Sequence, residues 1–179
     1  MDIYLRALEP EDYKTTIVWR KQQEDWDLLV GVKRFVSSET ERKWVEGAIE
    51  KHESGAAFRF VICEQHSKTM LGMISAIEVD YHNRSFGISS LIGEASARGK
   101  GVIGKARREV MHYMFSELGM HKATTRILED NVHSIRAVEK FGFKREGVLR
   151  EAAFKSGRFK DLFVYGMLKS EFYGKHFEQ

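Results

Sequence analysis

Residues 98–110, RGKGVIGKARREV, decide how the chain is read, because their glycines can be parsed in more than one way. Gly99, Gly101 and Gly104 spell G-x-G-x-x-G, while Gly99 to Lys105 spell G-x-x-x-x-G-K without the final hydroxyl. Loops of both kinds present backbone N–H groups to phosphate at a helix N-terminus. A helix does follow: Ile103, Ala106 or Arg107, Val110, Met114 and Leu118 recur at three- and four-residue steps, and Gly119 closes it. A dinucleotide fold needs its glycine turn directly after a strand. Here Gly93 to Ala97 intervene and there is one strand-helix-strand unit, although Glu129 and Asp130 nearly supply a ribose-binding acid. A nucleoside-triphosphate loop needs a magnesium-binding hydroxyl where Ala106 stands. A merely solvated helix start gains nothing from three glycines, which weaken it. The reading that uses every residue is a diphosphate cradle on the helix dipole, with Arg98 and Lys100 adding positive charge.

Outward from this stretch, periodicity sets the element order. IYLRAL is a short strand, and Pro10, Glu11 and Asp12 open a helix that runs to about Gln22. Ser37, Ser38 or Thr40 caps a second helix carrying Trp44, Val45, Ala48 and Ile49, ended by Gly55. The period then changes to that of strands. FRFVIC places Phe58, Phe60 and Ile62 on one face, MLGMISAIEV follows a turn as its antiparallel neighbour, and SFGISSLI is the third strand. After the glycine-loop helix come the strand KATTRIL, a helix capped by Asp130 or Asn131 and ended by Gly142, and two strands flanking a turn at Gly157. The order β-α-α-β-β-β-α-β-α-β-β predicts a mixed α/β sheet in one domain, residues 1–179, antiparallel at both ends with a parallel crossover in the middle.

Composition narrows the class. The chain has 179 residues, 42% hydrophobic and 31% charged, enough for one core. One cysteine can build neither a disulfide framework nor a cysteine zinc site, and a reducing, cytoplasmic compartment is expected. Cys63 alternates into an apolar strand and reads as core. The histidines lack metal-ligand spacing, so no metal is expected. No signal-peptide core stands at the N-terminus, and no segment reaches the roughly 18 apolar residues of a membrane span. A net charge of +3, with basic residues scattered among acids, argues against nucleic-acid binding while favouring a polyphosphate ligand.

The chain resembles the GNAT acyl-CoA N-acetyltransferases, whose signature is Q/R-x-x-G-x-G/A. Arg98, Gly99, Lys100 and Gly101 match it, and Ile103 stands at the last position, as in the branch of ribosomal-protein alanine acetyltransferases. The downstream block NVHSIRAVEKFGFKREG, residues 131–147, is similar to the family's second motif, and LRALEPEDY and SGRFKDLFVYGML extend the resemblance over nearly the whole chain.

The resemblance implies a central splayed parallel strand pair, with the pantetheine of acetyl-CoA in the gap, pairing with backbone of Leu91 and Ile92. Arg98, Gly99, Lys100, Gly101, Val102, Ile103 and Gly104 would wrap the pyrophosphate. Asn131 would hydrogen-bond the pantetheine, and Ser134 would sit near the thioester sulfur as candidate acid. The family's usual tyrosine is replaced by Val138, and its usual base positions are Phe86 and Ala153. Glu78 is the first candidate for a base, with Asp80, His82, Glu151 and Asp161 behind it. Trp26, Phe35 and Tyr81 would border the acceptor pocket. The expected acceptor is a primary amine, a protein N-terminus, an amino sugar or another small amine, with a polyamine or antibiotic behind these, attacking the thioester directly; a non-catalytic acetyl-CoA sensor is the alternative. A homodimer fits the same resemblance. Deprotonating a lysine-like amine at pH 7 costs about 4.6 kcal/mol and an α-amine only about 1.4, so a chain without an obvious base suits the less basic amine.

Overall fold

The computed structural model describes residues 1–21, 26–32 and 34–177. The elements are β1 (Ile3–Ala7), α1 (Tyr13–Lys21), α2 (Ser38–Glu53), β2 (Phe58–Glu64), β3 (Met70–Asp80), β4 (Ser85–Ile92), α3 (Val102–Ser116), β5 (Lys122–Leu128), α4 (Val132–Phe141), β6 (Lys144–Lys155), β7 (Arg158–Leu168) and α5 (Lys169–His176). The expected order is present, with one addition and one open boundary. Helix α5 was not anticipated, because eight residues carry too few turns for a period; Phe172, fully buried, anchors it. The expected end of α1 at Gln22 lies outside the described residues. No helix among the described residues is long and apolar enough to cross a membrane.

The seven strands form one sheet in the order β1-β2-β3-β4-β5-β7-β6, antiparallel everywhere except between β4 and β5. Side chains alternate across each strand, so β2 sends Phe58 and Ile62 to one face and Val61 and Cys63 to the other. The first face packs under α3, α4 and α5 around Ile74, Phe86, Met111, Phe115, Tyr165 and Phe172. The second packs under α1 and α2 with Trp19, Val45 and Ala48.

The feature that positions the site is where β4 and β5 part. They pair only through Ser85–Lys122, Phe86–Ala123 and Gly87–Thr124. Beyond Gly87, β4 continues along β3 out to Ile92, and β5 continues along β7 out to Leu128. Two strand edges therefore face each other across a gap with their hydrogen-bonding groups unspent on one another, an arrangement that invites an extended ligand.

Glycines fix the rim of this gap. A Cβ at Gly72 would lie 2.3 Å from the Leu91 carbonyl oxygen, so glycine lets β3 hold β4 closely at its open end. At Gly93 a Cβ would fall 1.9 Å from the ring of Trp19, whose indole is seated on that backbone. Gly93→Ala is therefore expected to displace Trp19 and destabilise the fold by about 1–3 kcal/mol, a loss of roughly 3–10 °C in Tm. Thermal melting and a red shift in tryptophan emission check this; an unchanged melt would mean the indole is not locked there.

Candidate functional site

The glycine loop is built for close approach. Gly99 and Gly101 both have φ of +73°, a region that costs any residue with a Cβ, and Gly101 is the N-cap of α3. Nothing lies within 4 Å of where side chains at Gly99, Gly101 or Gly104 would begin, so the loop surface is open. Among the described residues, the N–H groups of Gly101, Val102, Ile103 and Gly104 have no protein acceptor, leaving the positive end of the helix unsatisfied. Lys100 and Arg98 are exposed beside it, and Arg98 shares a small cleft with Leu91 and Ile92 at the end of β4.

From this loop the gap deepens into a cavity of about 340 Å³ that threads the sheet from one face to the other. Leu91, Asn131 and Ser134 line it, so the structure gathers the residues that two distant motifs singled out. The Asn131 carboxamide oxygen accepts the Ser134 N–H at 3.1 Å, capping α4, and its nitrogen donates to the Leu28 carbonyl at 3.0 Å. Asn131 thus ties the segment 26–31 to the site. The Lys155 ammonium, almost wholly buried, holds the same segment through the carbonyls of Trp26, at 3.2 Å, and Gly31. Burial lowers the pKa of this lysine. Ser134 is half-buried, and its hydroxyl has no protein partner among the described residues. Val138, where a tyrosine was expected by resemblance, is buried on the same wall.

None of the carboxylates proposed from sequence is in the cavity wall itself. Glu78 sits on a β-bulge at φ +50°, is 59% exposed, and is not itself in the cavity wall, though it meets the cavity-lining Arg126 at 3.4 Å. Asp80 accepts from the Asn83 backbone and side chain at 2.8 and 2.7 Å, holding a turn that lowers its pKa. His82 is exposed in the same turn. Glu151 and Asp161 line a separate open hollow on β6 and β7. Phe35 is 92% exposed, Tyr81 donates to the Gly55 carbonyl at 2.9 Å, and only Trp26 of the three expected aromatics lines the cavity.

Among the described residues, five charged residues that the sequence did not assign to the site face the cavity, Arg20, Glu41, Arg59, Arg107 and Arg126, of which three are buried or lack a partner for a buried atom. Glu41 of α2 is 1% exposed and ion-paired with Arg20, its other oxygen having no donor. Arg59 of β2 donates to the Ser75 hydroxyl at 3.3 Å, and its Nε has no acceptor. Arg20 and Arg59 stack over Trp44 at 5.0 and 5.3 Å from the ring centre. On the opposite face Arg107 of α3, 7% exposed, lies over Phe141 at 5.2 Å, with no carboxylate partner among the described residues and no acceptor for its Nε. Burial pulls its pKa down to about 10. Periodicity carried the signal for two of them. Glu41 precedes Val45 and Ala48 by four and seven residues, and Arg107 falls on the apolar stripe of α3.

Residues 2–144 match the acetyltransferase (GNAT) domain. The chain belongs to that family. A prophage-derived uncharacterized N-acetyltransferase of Bacillus subtilis is 32% identical over 176 residues, 98% of this chain and 94% of the relative. A putative ribosomal N-acetyltransferase of the same organism is 28% identical over 97% of this chain and 94% of its own length. Among solved structures, spermidine N-acetyltransferase from Vibrio cholerae, in complex with CoA and spermine, superposes with a TM-score of 0.83 at 26% identity, covering 95% of this chain and 97% of that one. The enzyme is an N-acetyltransferase of GNAT type with the mixed sheet of that family; ribosomal and polyamine relatives stand at similar distance, so the family is fixed and the branch within it is not.

Proposed function

We propose that the enzyme transfers the acetyl group of acetyl-CoA to a primary amine by direct attack in a ternary complex. One observation carries this reading: two unpaired strand edges open at the N-terminus of α3, so an extended pantetheine and its diphosphate find backbone partners along one line. Backbone of Leu91 and Ile92 would pair with the pantetheine amides. Arg98 and the loop from Gly99 to Gly104 would hold the diphosphate, and Asn131 and Ser134 would face the thioester end.

Attack by the neutral amine gives a tetrahedral oxyanion, and the departing thiolate carries charge until it is protonated. With Val138 in place of a tyrosine, Ser134 is the hydroxyl nearest this role on α4, and the buried Arg107 adds positive potential from beneath the gap. Glu41 is the one carboxylate lining the cavity among the described residues, and Arg20 engages it. The site therefore favours an amine that is neutral at low cost, an α-amine or an amino-sugar amine.

The test is thiol release from acetyl-CoA across a panel of primary amines, with thermal shift by acetyl-CoA, NAD and ATP. Saturating acetyl-CoA at about a hundred times its Kd adds roughly 2.7 kcal/mol, or some 5–11 °C in Tm. Ser134→Ala is expected to keep that shift while lowering kcat about tenfold or more. Stabilisation by NAD or ATP alone would overturn the reading. Stabilisation by acetyl-CoA without turnover on any amine would make the protein a sensor.

A further inference from the structure

Among the described residues, five charged side chains line the cavity: Arg20, Glu41, Arg59, Arg107 and Arg126. Arg20 is neutralised by Glu41, and Arg126 meets Glu78 at 3.4 Å. Among the described residues Arg59 and Arg107 have no carboxylate partner, and each keeps a buried Nε without an acceptor. Two guanidiniums without a carboxylate partner, lining one partly open, aromatic-walled cavity, give it a positive field, because their buried parts are screened less than surface charges.

The two lie on opposite sides of the sheet and meet different parts of the reaction. Arg107 is on the α3 and α4 side with Ser134 and Val138, where the thioester belongs on the proposed reading. Arg59 is on the α1 and α2 side, held against Trp44 and Ser75, the wall left to the acceptor if the thioester lies on the α3 and α4 side. Pantetheine is uncharged, and the CoA phosphates belong outside the cavity at the glycine loop. The cofactor therefore leaves Arg59 unpaired. Arg59 also carries a cost: burial lowers its pKa, and the neighbouring Arg20 lowers it further. An anion arriving with the acceptor relieves both.

We infer that the acceptor is a primary amine that also bears an acidic group, a carboxylate or a phosphate, which Arg59 binds beside Trp44. This rests on the transferase reading. A polyamine would bring several cations to a wall where, among the described residues, two guanidiniums stand beside one carboxylate that is already engaged. Guanidinium suits the reverse case, since its planar fork holds carboxylate or phosphate through two parallel hydrogen bonds.

Matched pairs of acceptors isolate the acid once rates are expressed per neutral amine from a pH profile, since an acidic group also raises the pKa of its neighbouring amine: an amino acid against its amide, phosphoethanolamine against ethanolamine, with spermidine as the polycation. The acidic member of at least one pair should show kcat/KM about tenfold or more above its uncharged partner and above spermidine. The two pairs tell carboxylate from phosphate. Arg59→Met should raise KM for the acidic acceptor about tenfold or more, with KM for acetyl-CoA and kcat/KM for the uncharged partner within about twofold. Arg59→Lys should recover part of the loss. Preference for spermidine or for the uncharged partners overturns this inference and leaves the transferase reading standing. An equal loss on both members of a pair in Arg59→Met also overturns it. An acetyl-CoA complex that acetylates no amine overturns both readings. The comparison on the unaltered enzyme decides the matter even if Arg59→Met does not fold.

Discussion

Gly101→Glu is expected to yield a folded protein that no longer binds acetyl-CoA. Gly101 is the N-cap of α3 at φ +73°, with open space where a side chain would start. The substitution meets no clash and costs about 1–2 kcal/mol of backbone strain. A carboxylate near a helix N-terminus recovers part of that through the dipole. Binding has no such compensation. The new carboxylate stands where the diphosphate would approach, and two like charges about 4 Å apart at an effective dielectric near 20 repel by about 4 kcal/mol. Affinity should fall by a factor of a hundred or more, enough to erase the acetyl-CoA thermal shift. Gly101→Ala serves as control, since it carries the same strain without the charge and should keep most of the shift. A folded Gly101→Glu variant with an unchanged shift would remove the loop from the cofactor site.

The reason the loop was legible from sequence is that its chemistry is done by backbone. Glycines at a helix start have few purposes, and Gly99 and Gly101 announce left-handed geometry by their identity. The element order was legible for a similar reason, because a change of period from FRFVIC to the α3 stripe reflects which side chains are buried. The splay was not written locally. Neither SFGISSLI nor KATTRIL marks where pairing stops; that is set by how β3 holds one strand and β7 the other, and only resemblance suggested it. Glu41, Arg59 and Arg107 were missed because charged residues are ordinarily assigned to solvent. Their positions say otherwise, since Glu41 and Arg107 sit on stripes whose other members are buried. Glu78 shows what alternation does not carry: a bulge at its position sets the carboxylate against Arg126, a residue of the cavity wall.

Arg107→Met should make the protein more stable and the reaction slower. Burial pulls the Arg107 pKa down from the ordinary guanidinium range to about 10, which corresponds to roughly 3 kcal/mol by which folding disfavours its charged form. The sign follows from burial: the folded state binds this proton less tightly than the unfolded chain, so the cost is full at neutral pH and fades only as pH climbs through 10. Methionine keeps an unbranched stem of similar length, and its sulfur packs well against an aromatic ring such as Phe141. Replacing an unpaired buried charge with such a group should add about 1–3 kcal/mol, a rise in Tm of roughly 3–10 °C. A cation retained at that cost is explained if it acts on charge that develops in the gap. Removing it should lower kcat about 10- to 100-fold while leaving the acetyl-CoA thermal shift intact, because the ground-state thioester is neutral. Arg107→Lys should recover part of kcat through its charge. A variant with raised Tm and unchanged kcat would show that the guanidinium does not act on the reaction, and a lowered Tm would show that its packing against Phe141 outweighs its desolvation.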